Sequence, residues 1–136
     1  MTVPSIAAGL AYGLSVFFLG FLLGVLRTLV LHPAIGEIPA VALEIPVILA
    51  ASWMICATLV RRLSVPARWP ERLIMGGVAL ACVLAGEVAV SVWMADRTLA
   101  EHVALYATPR SALGLLAQVA FALFPVMRLW RKSAMS

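Results

Sequence analysis

Four long apolar runs, separated by short stretches that hold most of the charge, set the pattern of this chain. They cover residues of about 5–31, 38–60, 73–95 and 112–130. An apolar helix of about 20 residues crosses a bilayer, so the pattern predicts an all-α fold: a four-transmembrane-helix bundle, with residues 1–136 forming one transmembrane domain. The connections carry their own signals. "LHPAIGE" is punctuated by Pro33 and Gly36, and "RRLSVPARWPER" holds Pro66 and Pro70, which predicts a short, stiff second loop. "DRTLAEHVALYATPR" differs. Thr98 and Glu101 have the spacing of a capping box, Leu99, Val103 and Tyr106 follow at helical spacing, and Pro109 reads as a stop. A short amphipathic helix is expected there, lying on the outer membrane surface and covering what is beneath it.

Composition agrees with the pattern. Of the residues, 64% are hydrophobic and 12% charged, with a mean hydropathy of +1.08; a soluble domain carries about a quarter charged residues. The net charge of +4 would suggest nucleic acid in a soluble protein, but its placement speaks for topology and against a nucleic-acid partner. Arg61, Arg62, Arg68, Arg72, Arg128, Arg131 and Lys132 fall on one side, and Arg27, Arg97 and Arg110 on the other. By the positive-inside rule both termini and the second loop are expected in the cytoplasm, with the basic side against anionic lipid headgroups. Trp69 and Trp130 are placed at the inner interface and Trp93 at the outer one, where amphipathic rings prefer to sit; Trp53 is deeper and is expected within the bundle. The first span has no basic residue before it and no small-residue cleavage site after it, so it reads as a retained span.

Small residues mark packing. Gly9, Gly13, Gly20 and Gly24 form two GxxxG pairs in phase along the first span, a stripe that lets backbones approach closely. It fits packing against another span of the same chain, or self-association into a homo-oligomer. Cys56 and Cys82 sit singly inside spans and read as small buried hydrophobes. His32 and His102 lie outside the apolar runs without metal-ligand spacing, so neither a metal nor another cofactor is expected.

The polar residues inside the spans are the sharpest feature. In "GEIPAVALEIPVILAASW", Glu37 and Glu44 are seven residues apart, two helical turns, and so share one face about 10 Å apart. Glu87 in "LAGEVAV" lies about 12 Å below the outer boundary of the third span, near the depth of Glu44. Arg27 reaches that depth from the first span and Gln118 from the fourth. Ionised groups in hydrocarbon are costly, so they turn inward and pair. An Arg27–Glu44–Glu87–Gln118 cluster in the outer half of the bundle is therefore expected, with one carboxylate held by Arg27 and one of the two glutamates neutral. Pro46, two residues after Glu44, leaves the Ala42 carbonyl without its helix donor. Such a cluster can glue helices together, bind a ligand, or exchange protons.

These residues also resemble a family. Gly20-x-x-x-Gly24-x-x-Arg27, then Pro33-x-x-Gly36, then Ala40-x-x-x-Glu44-x-Pro46, followed by "AGEVAV" and "LAEHVALY", is similar to the pattern of a group of uncharacterised small four-span bacterial inner-membrane proteins. The resemblance implies the architecture and that membrane, and no activity. The glutathione-transferase-like four-span family has a Glu-x-x-Pro feature near a helix start, but its Arg-x-x-x-x-Asn-x-x-Glu pattern is missing here. The sterol-isomerase type offers only the general chemistry of carboxylates inside a helical bundle. The reading is an accessory subunit or a binding protein for a hydrophobic small molecule or lipid, with Arg27, Glu44, Glu87, Gln118 and Tyr106 around the ligand. The alternatives are a membrane isomerase or lipid-modifying enzyme using Glu44 and Glu87 as acid and base, and an oligomeric proton-coupled transporter or channel.

Overall fold

The computed structural model describes residues 3–135, without the side chains of Arg110 and residues 130–135. The interface placement of Trp130 and the charges of Arg110, Arg131 and Lys132 therefore lie outside the described residues. The described chain is all helical: α1 (Val3–Leu26), α2 (His32–Ile35), α3 (Glu37–Arg62), α4 (Trp69–Ala89), α5 (Leu99–Leu105) and α6 (Pro109–Met135). Two π-helical turns, Arg27–Leu31 and Val90–Met94, extend α1 and α4. Four stretches are long and apolar enough to cross a membrane: Val3–Ile35, Glu37–Arg62, Trp69–Met94 and Ser111–Leu129. This is a multi-pass membrane protein built as a four-helix bundle.

The connections differ from the expected ones in two places. "LHPAIGE" contracts to a single non-helical residue. Pro33 enters at the start of α2, and only Gly36, at φ +91°, breaks the helix. That backbone conformation suits a residue without Cβ. Glu37 then opens α3, where a carboxylate complements the helix dipole. Pro109 does not end a helix; it begins α6, where its missing N–H has no helical partner to lose. The expected cap of the short helix is present: the Thr98 hydroxyl accepts from the Glu101 amide at 3.1 Å.

Both α1 and α6 pack against both α3 and α4, so the helices form a ring in the order α1, α4, α6, α3. Lipid tails are as apolar as the side chains, so close approach and van der Waals contact hold such helices together. The first glycine pair is used in this way within the chain. A Cβ on Gly9 would lie 2.7 Å from the Met75 carbonyl oxygen, and one on Gly13 2.7 Å from that of Ala79. Gly76 sits closer still against the Ala122 carbonyl of α6. Gly20 faces Ile48, and Gly24 lies beside Arg27.

Burial is concentrated at the end of the bundle near the α3–α4 loop, around Tyr12, Cys56, Met75, Ala79 and Phe121. Ser5 donates to the buried Glu71 there. Arg72, expected in the basic surface, is buried instead: its guanidinium donates to the Pro66 carbonyl at 3.2 Å and the Pro125 carbonyl at 3.0 Å. Arg128 lies 4.6 Å over the Trp53 ring, which itself packs edge-on against Phe124. At the opposite end, where α5 lies, none of Arg27–Leu31 is buried, and the helices stand apart around a cavity.

Candidate functional site

The cavity has a volume of about 610 Å³, within the range of small-molecule sites. Its walls are mostly apolar: Phe17, Phe21 and Val25 from α1, and Val41, Ile45 and Ile48 from α3. Polar side chains gather toward the α5 end. All five ligand-site residues expected from the sequence, Arg27, Glu44, Glu87, Gln118 and Tyr106, line it. So do Gly20 and Gly24, whereas Gly9 and Gly13 are taken up by α4.

The polar layer divides in two, where a single cluster was expected. On one side Arg27, in the π-helical turn after α1, forms an ion pair with Glu44 of α3. On the other, Glu87 of α4 accepts from the Gln118 amide of α6 and, at 3.2 Å, from the Tyr106 hydroxyl. Among the described residues no hydrogen bond or ion pair joins the two groups. The reason lies in the ring order. The α3 and α4 helices occupy opposite corners, so Glu44 and Glu87 share a cavity without being neighbours. Glu44 has its counter-charge; Glu87 is held by neutral donors, with no Arg or Lys paired to it among the described residues.

Tyr106 extends this second group to α5. Burial, and then the nearby Glu87 carboxylate, push its phenol up to about 12, which keeps it a neutral donor. Its oxygen lies 3.3 Å from His102 Nε2. Since Tyr106 donates to Glu87, its lone pair is left to accept a proton from Nε2, and this assigns the His102 tautomer. His102 is buried, at 7% exposure, and its Nδ1 has no hydrogen-bond partner among the described residues; nor has Gln118 Oε1. Buried acceptors left unmade cost about 1–3 kcal/mol each.

Sequence reasoning passed over three residues here. In the sequence His102 stands out only as a histidine without metal-ligand spacing, Arg97 only as a loop charge, and Ser91 not at all. Instead Arg97 is clamped to the π-helical turn: its amide donates to the Ser91 carbonyl at 3.0 Å and its guanidinium to the Ser91 hydroxyl at 3.2 Å. Both line the cavity. The π turns at Arg27 and Ser91 belong to a class of helix irregularity frequent at functional sites, and nothing in a hydropathy pattern announces them. Among the described residues no three His, Cys, Asp or Glu side chains gather as a metal site. Compared with protein-family models, curated proteins and solved structures, the chain shows no match.

Proposed function

We propose that this protein binds a hydrophobic small molecule or lipid in the cavity, with the ligand's apolar body along α1 and α3 and its polar end among the side chains near α5. One observation carries the reading: an apolar cavity of about 610 Å³ that ends in two separate polar groups. A cluster serving only as helix glue would join its charges and satisfy its acceptors, because a half-satisfied buried network is worse than an apolar core. Here the two carboxylates belong to separate groups, and two buried acceptors have no partner among the described residues. Deviations of this kind are found at functional sites. The acid–base reading of Glu44 and Glu87 gains less support, since Glu44 is tied to Arg27. The first glycine pair is taken up by α4 and the second lines the cavity, so the stripe gives little support to self-association. In this reading the protein lies in a bacterial inner membrane, with the α5 end outside and the basic loop in the cytoplasm.

Gly114 provides the test. It lines the cavity, and a Cβ built on it meets nothing within 4 Å. Gly114→Phe should fill the cavity and leave the bundle intact. Native mass spectrometry of the gently purified protein should show a retained amphiphile, and Gly114→Phe should lose it at unchanged melting temperature. A wild-type protein that retains no small molecule, or a Gly114→Phe variant that retains it unchanged, would overturn the proposal.

A further inference from the structure

The charges around the cavity define a head group more closely than the cavity does. Four formal charges belong to spans or loops lining it: Arg27, Arg97, Glu44 and Glu87. Arg27 and Glu44 neutralise one another. Arg97 and Glu87 do not: Arg97 donates its guanidinium to the Ser91 hydroxyl alone, and Glu87 accepts from two neutral groups. Among the described residues no ion pair joins them. Among the described residues the site therefore offers one guanidinium and one carboxyl group, neither with a paired counter-charge. Arg97 lies three residues beyond the apolar stretch Trp69–Met94, at the level where lipid head groups sit. Its backbone and side chain are both fastened to Ser91, so the fork is set in position before any ligand arrives.

Each charge asks for a different partner. A guanidinium fork matches the oxygens of a phosphate through parallel N–H bonds. Glu87 accepts from both Tyr106 and Gln118, so it acts here as an acceptor and calls for a further hydroxyl or an ammonium. An apolar alcohol would answer Glu87 and leave Arg97, and a fatty acid would answer Arg97 and leave Glu87. We propose that the cavity takes a phospholipid-type amphiphile, its phosphate on Arg97 and a hydroxyl or ammonium of its head donating to Glu87. Tyr106 and Gln118 hold the Glu87 carboxylate between them, and the acyl chain runs along Phe17, Phe21, Val41, Ile45 and Ile48. This assignment rests on the cavity being a ligand site, as proposed above.

The full chain, exchanged into a neutral detergent and stripped of lipid, is titrated by native mass spectrometry against four probes. These are phosphatidylethanolamine, phosphatidylglycerol, diacylglycerol of the same acyl chains, and inorganic phosphate. Both phospholipids should bind about tenfold or more tightly than diacylglycerol, the factor expected for one charge-assisted contact. Arg97→Gln should remove that preference without changing diacylglycerol binding, Arg97→Lys should restore part of it, and Glu87→Gln should weaken both phospholipids. Diacylglycerol binding as tight as the phospholipids, or Arg97→Gln without effect, would overturn the head-group assignment; Gly114→Phe still abolishing binding would then leave the cavity reading in place. Binding of inorganic phosphate without either phospholipid would overturn the lipid source of the phosphate. If no probe binds and Gly114→Phe changes nothing, both readings fall together.

Discussion

The Tyr12 hydroxyl donates to the Phe121 carbonyl at 2.7 Å, and that carbonyl is the one Pro125 leaves without its helix donor. A proline in a helix interior removes the bond to the residue four before it; here α1 supplies the missing proton to α6 from a side chain that is fully buried. The two rings also meet edge to face, 5.0 Å between centroids. Tyr12→Phe should therefore destabilise the bundle by about 1–3 kcal/mol, the cost of a buried acceptor left unmade. Pro125→Ala should return much of that loss in the Tyr12→Phe background, because the new amide reaches Phe121 directly. A double-mutant cycle by denaturant unfolding in micelles measures the coupling. Additive losses would show that the hydroxyl does not serve this carbonyl.

Neighbouring glycines should behave oppositely. Gly76 lies directly against the Ala122 backbone, whereas a Cβ on Gly77 meets nothing within 4 Å. Gly76→Ala must push α4 and α6 apart and should cost about 3 kcal/mol, or prevent folding, since backbone cannot step aside. Gly77→Ala should be neutral or gain up to about 1 kcal/mol from helix propensity. Melting temperatures of the two variants decide it; equal losses would mean that the helix contact is not where the structure has it.

That contrast shows what the sequence holds and what it does not. The spans are legible as apolar runs, because hydrocarbon demands about 20 such residues whatever the neighbours. The Thr98 cap is legible because it is local. The depth shared by Arg27, Glu44, Glu87 and Gln118 is legible from helical rise. Their grouping is not: rise fixes depth, while the order of helices around the ring fixes which residues at one depth can touch. Arg27 and Glu44 come from adjacent helices and pair; Glu87 stands on the helix opposite Glu44 and finds Tyr106 and Gln118. Arg72 departs from the expected basic surface for a related reason. Its position by a loop signals surface, and only the fold brings the Pro66 and Pro125 carbonyls to it.

Breaking the Arg27–Glu44 pair from one side should cost more than removing it whole. The two side chains are only 21% and 13% exposed, and both line the largely apolar cavity. Glu44→Gln leaves the guanidinium without its counter-charge and should cost about 3–5 kcal/mol, whereas the double change Arg27→Met with Glu44→Leu should recover most of that. Glu87→Gln, whose partners are neutral, should cost about 1 kcal/mol. Unfolding free energies of the four proteins test the order. Equal costs for Glu44→Gln and Glu87→Gln would place the uncompensated charge elsewhere.

Tyr106 gives a pH signature that reports on the site itself. Its phenol titrates at about 12 against an ordinary value near 10. A raised folded-state value means that the unfolded chain loses its proton first. The stabilisation is therefore complete below about pH 10 and is lost as pH rises through about 12. Between neutrality and about pH 9 the stability difference between Tyr106→Phe and the parent should not change with pH; above that range it should shrink. The chain has only two tyrosines, so in a Tyr12→Phe background the phenolate absorbance belongs to Tyr106 alone. Glu87→Gln should bring its midpoint partway back toward 10 and not the whole way, because burial is the largest single cause. A midpoint near 10 in the parent would mean that Tyr106 stands in water, away from Glu87, and that α5 does not close over the cavity.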